Sequence, residues 1–379
     1  MIDREALLAD LQAVLRTLEA DLLERSDSSE VSDVGQALRE EYRKAKEADR
    51  TAQSYEDWRS AYITQLAAAW VLSCVFARFL EDNALVDPPK IAGPTASAEG
   101  DGENRLQRAR DEHELYFRQH PSETDREYLL SAFKELAQLA GAAEVFGEHN
   151  ALWELPNWLS GDAAGELLRF FQKIDPDTGT LIHDFTDPVS ASGGDFRGWD
   201  TRFLGDLYQD LSEAARKRYA LLQTPEFVEQ FTLDRTLDPA LDTFGLDAPP
   251  IRNEDDDEIA PAGFRMIDPA CGSGHFLLGA FERTLERWRR KEPAAKDREL
   301  VQRALDSVHG VDVNPFAVAI ARFRLLLAAL KQSGITKLKD APAFHFNLAA
   351  GDSLLHGVPG SQHVMDFHEL AHHYAAEDA

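Results

Sequence analysis

Apolar side chains in the first half of the chain recur at helical spacing. From Ile2 to Glu24, leucines and a valine return every three or four residues, which places them on one face of a helix. The Pro- and Gly-containing stretch Val86–Asn104 interrupts this pattern. Further helices are predicted over Gln36–Arg50, Tyr55–Asn83, Arg105–Gln119, Ser122–Leu139 and Ala163–Ile174. The spacing therefore predicts a mostly α-helical amino-terminal domain.

The longest apolar run, Ala61–Leu80, has nearly the length of a membrane span. It contains polar residues, among them Gln65 and Arg78, and acidic rather than basic residues flank it on both sides. A membrane span usually carries basic residues on its cytoplasmic side. The pattern therefore favours a buried helix of a soluble protein with no membrane partner.

The segment Asp175–Trp199 is rich in Asp, Gly, Ser and Pro, and we predict a domain boundary there. The helical domain then covers residues 1–199 and a second domain covers residues 200–379. Beyond the boundary, the spacing predicts a helix over Asp206–Leu222 and another that begins at Glu226. The acidic run Glu254–Glu258 lies between prolines and is typical of a solvated loop.

Short strand patterns appear only in the second domain. They cover Phe264–Asp268, Ser307–Val313 and Ala343–Ala350, with helical segments between them, one of them over Asp297–Asp306. Strands that alternate with helices are typical of a parallel sheet covered by helices on both faces. The fold class predicted for this domain is therefore α/β and doubly wound. Asn314 and Pro315 are suited to begin the helix after the second strand.

Composition limits the class of protein further. The 379 residues include 40 Lys and Arg against 67 Asp and Glu, which gives a net charge of −27. This acidity argues against a surface that grips nucleic acid or anionic lipid indiscriminately, but it does not exclude a local basic cleft. Cys74 and Cys271 are the two cysteines, so a disulfide framework is excluded and a reducing, cytoplasmic location is expected.

Each predicted strand of the second domain ends at a glycine turn or an acid, namely Asp268–Gly274, Asp312 and Gly351–Asp352. Ligands of such sheets bind beyond the carboxyl ends of the strands. A dinucleotide fingerprint needs a small residue where this chain has Leu277, and a P-loop needs Lys where it has Ala280. A glycine turn, an acceptor for a ribose diol and an acceptor for a purine amine instead fit an adenosine with a carboxylated tail. S-adenosylmethionine is such a molecule.

The motifs resemble those of a known family. The run from Asp268 to Leu277 (DPACGSGHFL) looks like the cofactor-binding motif of amino-methylating DNA methyltransferases that form N6-methyladenine. Three further runs match elements of the gamma-ordered subgroup in the same order: Thr224–Val228 (TPEFV), Asp312–Pro315 (DVNP) and Gly351–Ser353 (GDS).

The helical first half and the run Phe203–Leu211 (FLGDLYQDL) resemble more narrowly the adenine methyltransferases of phage-growth-limitation and type 2 BREX defence systems. The resemblance implies a fold in which a helical domain precedes a Rossmann-like methyltransferase domain that is incomplete at its carboxyl-terminal end.

The resemblance also implies roles for individual residues at the methionine end of S-adenosylmethionine. The turn that begins at Asp268 would cradle this end of the cofactor, and its members include Ala270, Gly272 and Gly274.

Five more residues are implied to surround the cofactor. Thr224 and Pro225 would line the methionine side. Asp312 would hold the ribose hydroxyls, Val313 would pack on the adenine face, and Asp352 would accept from the adenine amine.

One family element is missing. The catalytic motif consists of Asn or Asp, two prolines and an aromatic residue, and no such tetrapeptide lies between Asp352 and Ala379. Its amide and proline carbonyl orient the target amine, and its ring stacks on the flipped-out base. Asp87–Lys90 (DPPK) lacks the aromatic residue, and Asn314–Phe316 (NPF) lacks the second proline. We therefore expect an amino-terminal portion of a longer enzyme, which binds cofactor but contains no catalytic residue and methylates nothing alone.

The expected function of the whole enzyme is methylation of adenine N6 in double-stranded DNA during defence against phage. The resemblance implies partner proteins from the same system: a phosphatase-like protein, an ATPase and a kinase. The alternative is a non-catalytic module that binds S-adenosylmethionine or serves as a scaffold, with a helical half that docks a partner.

Two other motifs are given structural interpretations. His368–His372 (HELAH) has the spacing of a zinc-protease signature, but the extended pattern would need Gly and His where the chain has Ala375 and Asp378. We therefore interpret it as a polar helix or linker and expect no metal. The basic residues between Arg283 and Lys291 alternate with acids, which favours a solvated helix face over a phosphate-binding patch.

Overall fold

The computed structural model describes residues 4–28, 31–47, 51–95, 104–148, 150–153, 155–186, 201, 204–205, 211, 224–247, 251–252, 258–260 and 263–353. Several predicted features lie outside these residues, namely most of the helix 206–222, the acidic residues 254–257 and the motif 368–372. The chain forms two compact units, Met1–Leu136 with Glu154–Leu221 and Ala137–Trp153 with Leu222–Ala379. The boundary near residue 199 stays a prediction.

The described part of the first unit is helical. Its helices are α1 (Arg4–Ser26), α2 (Ser32–Glu47), α3 (Tyr55–Asp82), α4 (Arg105–Gln119), α5 (Asp125–Ala137, whose last residue belongs to the second unit) and α7 (Gly161–Phe171). Helix α6 (Ala143–Phe146) and the 3-10 turn Ala140–Ala142 belong to the second unit. The predicted bounds agree within four residues because caps and apolar spacing are local signals.

Helix α3 forms the core of the first unit. The Ser54 hydroxyl caps its first turn by accepting from the Asp57 amide at 3.1 Å. The helix is long and apolar enough to cross a membrane, yet 83% of its most apolar 18-residue window is buried inside the protein. This burial agrees with the buried-helix interpretation.

Buried charges fix the carboxyl end of α3. The Arg78 guanidinium pairs with the Asp82 carboxylate at 2.8 Å, and both side chains have zero exposure. Arg78 also donates to the carbonyls of Phe171 at 2.6 Å and His183 at 2.9 Å. These bonds hold α3 against the segment that follows α7.

The described part of the second unit contains four further elements of regular structure before its main sheet. These are α8 (Glu226–Arg235), α9 (Leu237–Phe244) and an antiparallel pair of strands, β1 (Ile251–Arg252) and β2 (Glu258–Ala260). The pair was not predicted from the sequence. Glu258, expected in a solvated loop, lies in a strand instead.

The main sheet has the parallel order β3–β4–β5. Its elements are β3 (Met266–Asp268), α10 (His275–Lys291), α11 (Asp297–Asp306), β4 (Val308–Asp312), α12 (Pro315–Gln332), the 3-10 turn Leu338–Asp340 and β5 (Asn347–Ala350). The central strand packs closely, because a Cβ on Gly310 would lie 2.8 Å from side-chain atoms of Leu277 and Leu348. The parallel sheet and its helical connections were predicted.

Candidate cofactor site

Three loops meet at the carboxyl edge of the sheet. In the parallel register Asp268 lies opposite Gly310, and Asp312 lies opposite Ala350. The strands therefore end side by side, and the loop after each strand begins at the same edge. This edge carries seven of the nine residues that the sequence assigns to the cofactor.

The first loop is a glycine turn. Gly272 has φ +53° and Gly274 has φ +82°, a region that strongly favours glycine. A Cβ on Gly274 would lie 2.9 Å from the Cβ of Ala321, so helix α12 packs directly on the turn. A Cβ on Gly272 would meet no heavy atom within 4 Å, so this face of the turn is open. Gly274 thus allows close packing against α12, whereas Gly272 leaves the open face of the turn free of side-chain atoms.

Asp312 joins the first loop to the second. One carboxylate oxygen accepts from the Gly272 amide at 2.8 Å, and the other accepts from the Asn314 amide at 2.8 Å. The Cys271 amide donates to the Val311 carbonyl at 3.0 Å. A carboxylate offers about four lone-pair sites, so Asp312 keeps acceptor capacity for a ligand diol.

The third loop is tied to both others. The Gly351 amide donates to the Asp312 carbonyl at 2.8 Å. The Ser353 hydroxyl donates to the Pro269 carbonyl at 2.9 Å. Asp352 lies between these two anchors and is half-buried. The loops therefore form one bonded group.

The electrostatics of this edge favour a ligand with positive charge. Burial raises the pKa of Asp268, and the nearby carboxylate of Asp312 raises it further, while the Ala270 amide, at 3.1 Å from the Asp268 carboxylate, opposes both. A cation between two acids would relieve their repulsion. Burial also raises the pKa of the Cys271 thiol, which keeps it protonated and a poor nucleophile.

Thr224 and Pro225 stand at the start of α8. The Pro225 carbonyl accepts from the amides of Val228 at 3.0 Å and Glu229 at 3.1 Å, which begins the helix. Helix α8 packs on α10, since a Cβ on Gly279 would lie 2.5 Å from a Leu233 methyl. The dipeptide thus begins a helix beside α10, but among the described residues it makes no hydrogen bond to the three loops.

The basic face of α10 is paired within the chain. Arg283 pairs with Asp234 at 2.6 Å and Arg287 pairs with Asp242 at 2.6 Å. Each of the other three basic residues also has an acidic partner: Asp297 for Arg289, Glu286 for Arg290 and Asp247 for Lys291. These pairs support the interpretation as a helix face rather than a phosphate site.

Sequence reasoning missed three contacts of the site. The bond from Ser353 to Pro269, the bond from Asn314 to Asp312 and a bond from Arg324 to Ser273 were not predicted. The Ser353 contact leaves no pattern in the sequence, whereas the Asn314 contact is a local turn of the kind that an Asp two residues earlier favours. Arg324 had a signal, because it and Arg322 are the two charged residues in the long apolar stretch of α12.

Comparison with known proteins defines a class for this region. Residues 260–357 match the family described as "MmeI, DNA-methyltransferase domain", and this range contains all three loops. Over 358 residues, the chain is 47% identical to a protein of Streptomyces coelicolor named "Adenine-specific methyltransferase PglX". That alignment covers 94% of this chain and 27% of PglX.

A second relative is a Methanocaldococcus jannaschii protein named "Putative type II restriction enzyme and methyltransferase RM.MjaORFECS2P". It is 34% identical over 100 residues, which cover 24% of this chain and 8% of that protein. The chain thus spans about a quarter or less of the length of these relatives. The resemblance to the adenine-specific methyltransferase PglX, predicted from the four motifs, the helical first half and the run Phe203–Leu211, is confirmed.

Proposed function

We propose that this chain is the cofactor-binding part of an enzyme that transfers a methyl group from S-adenosylmethionine to adenine N6 in DNA. The observation that carries the proposal is the bonded group of three loops, in which Asp312 joins the turn at Gly272 to the next loop. The names of both relatives include a methyltransferase, and that of PglX specifies adenine.

We further propose that the sheet is the first half of a Rossmann-like, doubly wound fold. The parallel order β3–β4–β5 supports this, because the first half of such a fold runs outward from its first strand. The first strand, β3, then lies at the switch point, where a ligand binds beside the glycine turn. A fourth parallel strand next to β3 is expected.

The residues present fit S-adenosylmethionine. The open face at Gly272 leaves room for its methionine end, and the acids Asp268 and Asp312 suit its positive charges. Asp312 has acceptor capacity left for the ribose hydroxyls. Val313 is 51% exposed and offers an apolar surface to a purine, whose amine Asp352 would accept. Thr224 and Pro225 would line the methionine side.

This chain would bind S-adenosylmethionine and orient it. When bound, the cofactor supplies an electrophilic methyl group on a sulfonium. Loops that are already bonded to each other lose little entropy when they fix a ligand, so the methyl group can be held in one place. The sequence contains no Asn or Asp followed by two prolines and an aromatic residue, and we assign no catalytic residue to it.

We propose the remaining features from the resemblance. They are double-stranded DNA as substrate, a role in defence against phage, a cytoplasmic location, and work beside a phosphatase-like protein, an ATPase and a kinase. A second candidate is a module that binds S-adenosylmethionine without catalysis.

Titration calorimetry and a methyl-transfer assay separate these candidates. The chain should bind S-adenosylmethionine, and a longer protein that contains both this chain and the catalytic tetrapeptide should transfer labelled methyl to adenine in DNA. Binding without transfer by that longer protein would favour the second candidate. The absence of binding at about millimolar ligand, which excludes a useful affinity, would overturn both.

A further inference from the structure

Arg324 holds the glycine turn from behind. Its guanidinium donates to the Ser273 carbonyl at 2.6 Å and to the Ser273 hydroxyl at 3.4 Å. The side chain extends from α12 and the residue is 2% exposed, so the bond forms away from bulk water. A hydrogen bond from a charged donor in such surroundings is among the stronger ones in proteins.

Packing fixes where this bond can form. Ala321 touches the turn at Gly274, and Arg324 lies one helical turn further along the same face of α12. Arg322 on the same helix reaches elsewhere, to the Leu348 carbonyl at 2.6 Å. The bond to Ser273 is therefore specific to one arginine of the helix.

Hydrogen bonds hold the turn on both sides of the Ser273 amide. The Gly272 amide donates to Asp312 at 2.8 Å, and the Gly274 amide donates to the Cys271 carbonyl at 2.9 Å. Between them lies the Ser273 amide, which donates to no acceptor within the part of the chain that the structure describes. Ser273 is half-buried and directly follows Gly272, whose Cβ position faces open space.

We propose that Arg324 is a positioning residue that holds Ser273 so that its amide donates to the carboxylate of the cofactor's methionine end. The assignment rests on the proposed function. Arg324 binds the carbonyl side of Ser273 and Asp312 binds the amide before it, so the peptide group between them has one orientation. A carboxylate would accept from this amide without any rearrangement of the turn.

The test compares two ligands on the full chain by calorimetry. S-adenosylmethionine has the amino-acid end, and methylthioadenosine has the same nucleoside without it. In Arg324→Met, we expect the Kd for S-adenosylmethionine to rise about tenfold, the size of one lost charge-assisted bond. The Kd for methylthioadenosine should stay unchanged. Arg324→Lys keeps one donor, and we expect it to recover most of the loss.

Arg289→Met is the matched control. Arg289 also donates to a carbonyl and a side-chain oxygen of one residue, Gln332, at 2.8 Å each, but at the far end of α12. This variant should bind both ligands as the wild type does. If Arg324→Met does not fold, Arg324→Lys replaces it, with an expected loss of about threefold for S-adenosylmethionine alone.

Two outcomes would overturn the assignment while the proposed function survives: equal weakening of both ligands, which marks a merely structural role, or no weakening of either in the variant that folds. A wild-type chain that binds neither ligand would overturn the proposed function and this assignment with it.

Discussion

Glu81 in the first unit and Asp312 in the second are both carboxylates that accept hydrogen bonds from loop amides. Glu81 is 3% exposed and accepts four bonds, two at each oxygen, from the amides of Lys90, Ile91 and Ala92. Asp312 is half-buried and accepts one bond at each oxygen. The acceptor sites of Glu81 are filled by the chain, whereas Asp312 keeps sites for a ligand.

The buried charges of the first unit serve the fold. Burial raises the pKa of Glu81 to about 7, although the three amides oppose this. Nearby, Arg78 and Asp82 are paired at 2.8 Å with no exposure. Removal of either Arg78 or Asp82 would leave the other charge buried without a partner. Stability should therefore depend on the first unit's charges, and ligand affinity on the second unit's acids.

The largest effect is expected from Arg78→Met. The substitution leaves the Asp82 carboxylate buried without its ion pair and frees two backbone carbonyls, so the free energy of unfolding should fall by about 3–5 kcal/mol. Chemical denaturation measures it. Affinity for S-adenosylmethionine, corrected for the folded fraction, should not change. A loss of stability below about 1 kcal/mol would mean that the pair is solvated and does not support the core of the first unit.

The next largest effect is expected from alanine substitutions at the two glycines of the turn, which should differ in their cost. Gly274→Ala must accept a left-handed backbone and a Cβ 2.9 Å from the Cβ of Ala321, and we expect it to cost about 2–3 kcal/mol of unfolding free energy. Gly272→Ala meets only the backbone penalty, about 1 kcal/mol, but its methyl group enters the open face. Thermal unfolding should show a larger loss of stability for Gly274→Ala than for Gly272→Ala. The reverse order would show that the turn does not pack on α12.

Asp312→Asn tests the second carboxylate. The amide nitrogen of asparagine cannot accept from Gly272 or from a ribose hydroxyl, so affinity for S-adenosylmethionine should fall about tenfold or more. Calorimetry measures the change, and the exposed Asp340→Asn serves as control. Unchanged affinity in Asp312→Asn would show that this acid only supports the loops.

The smallest effect concerns a pair within the second unit. His345 lies 3.3 Å from the Glu144 carboxylate, which raises the pKa of His345 although burial opposes this. A raised histidine pKa stabilises the fold below the unfolded pKa of about 6.5, and this stabilisation disappears as the pH rises through the folded pKa.

Because the His345 side chain is 39% exposed, we expect the pair to contribute less than about 1 kcal/mol. Relative to the wild type, His345→Gln should lower the free energy of unfolding at about pH 5.5 and leave it unchanged at about pH 8. Glu144→Gln should give the same change. An equal effect at both pH values would show that the pair does not depend on protonation of His345.

The sequence predicted those parts of the fold that local chemistry decides. The helix Asp297–Asp306 and the start of α12, where Asn314 accepts from the Phe316 amide at 3.1 Å, agree with the prediction. The third strand was predicted too long, because Phe344 and Phe346 are buried without lying in a strand. Apolar runs report burial, and burial alone does not distinguish a strand from a packed loop.

Packing between residues far apart in the chain could not be predicted from the sequence. The turn Ala140–Ala142 belongs to the second unit, where a Cβ on Gly141 would lie 2.5 Å from the Cβ of Ala341. No periodicity joins residues two hundred positions apart. For the same reason, the motifs predicted the loops of the site, but they did not predict the contacts from Arg324 and Ser353 that connect them.

A crystal structure of the chain with S-adenosylhomocysteine tests directly whether the three loops bind the cofactor. We expect the ribose hydroxyls to contact the carboxylate of Asp312, whose bond to the Gly272 amide is retained, and the amino-acid end to lie beside the open face of Gly272. A ligand bound elsewhere, or an Asp312 carboxylate that has turned away from both the ribose and Gly272, would contradict this expectation.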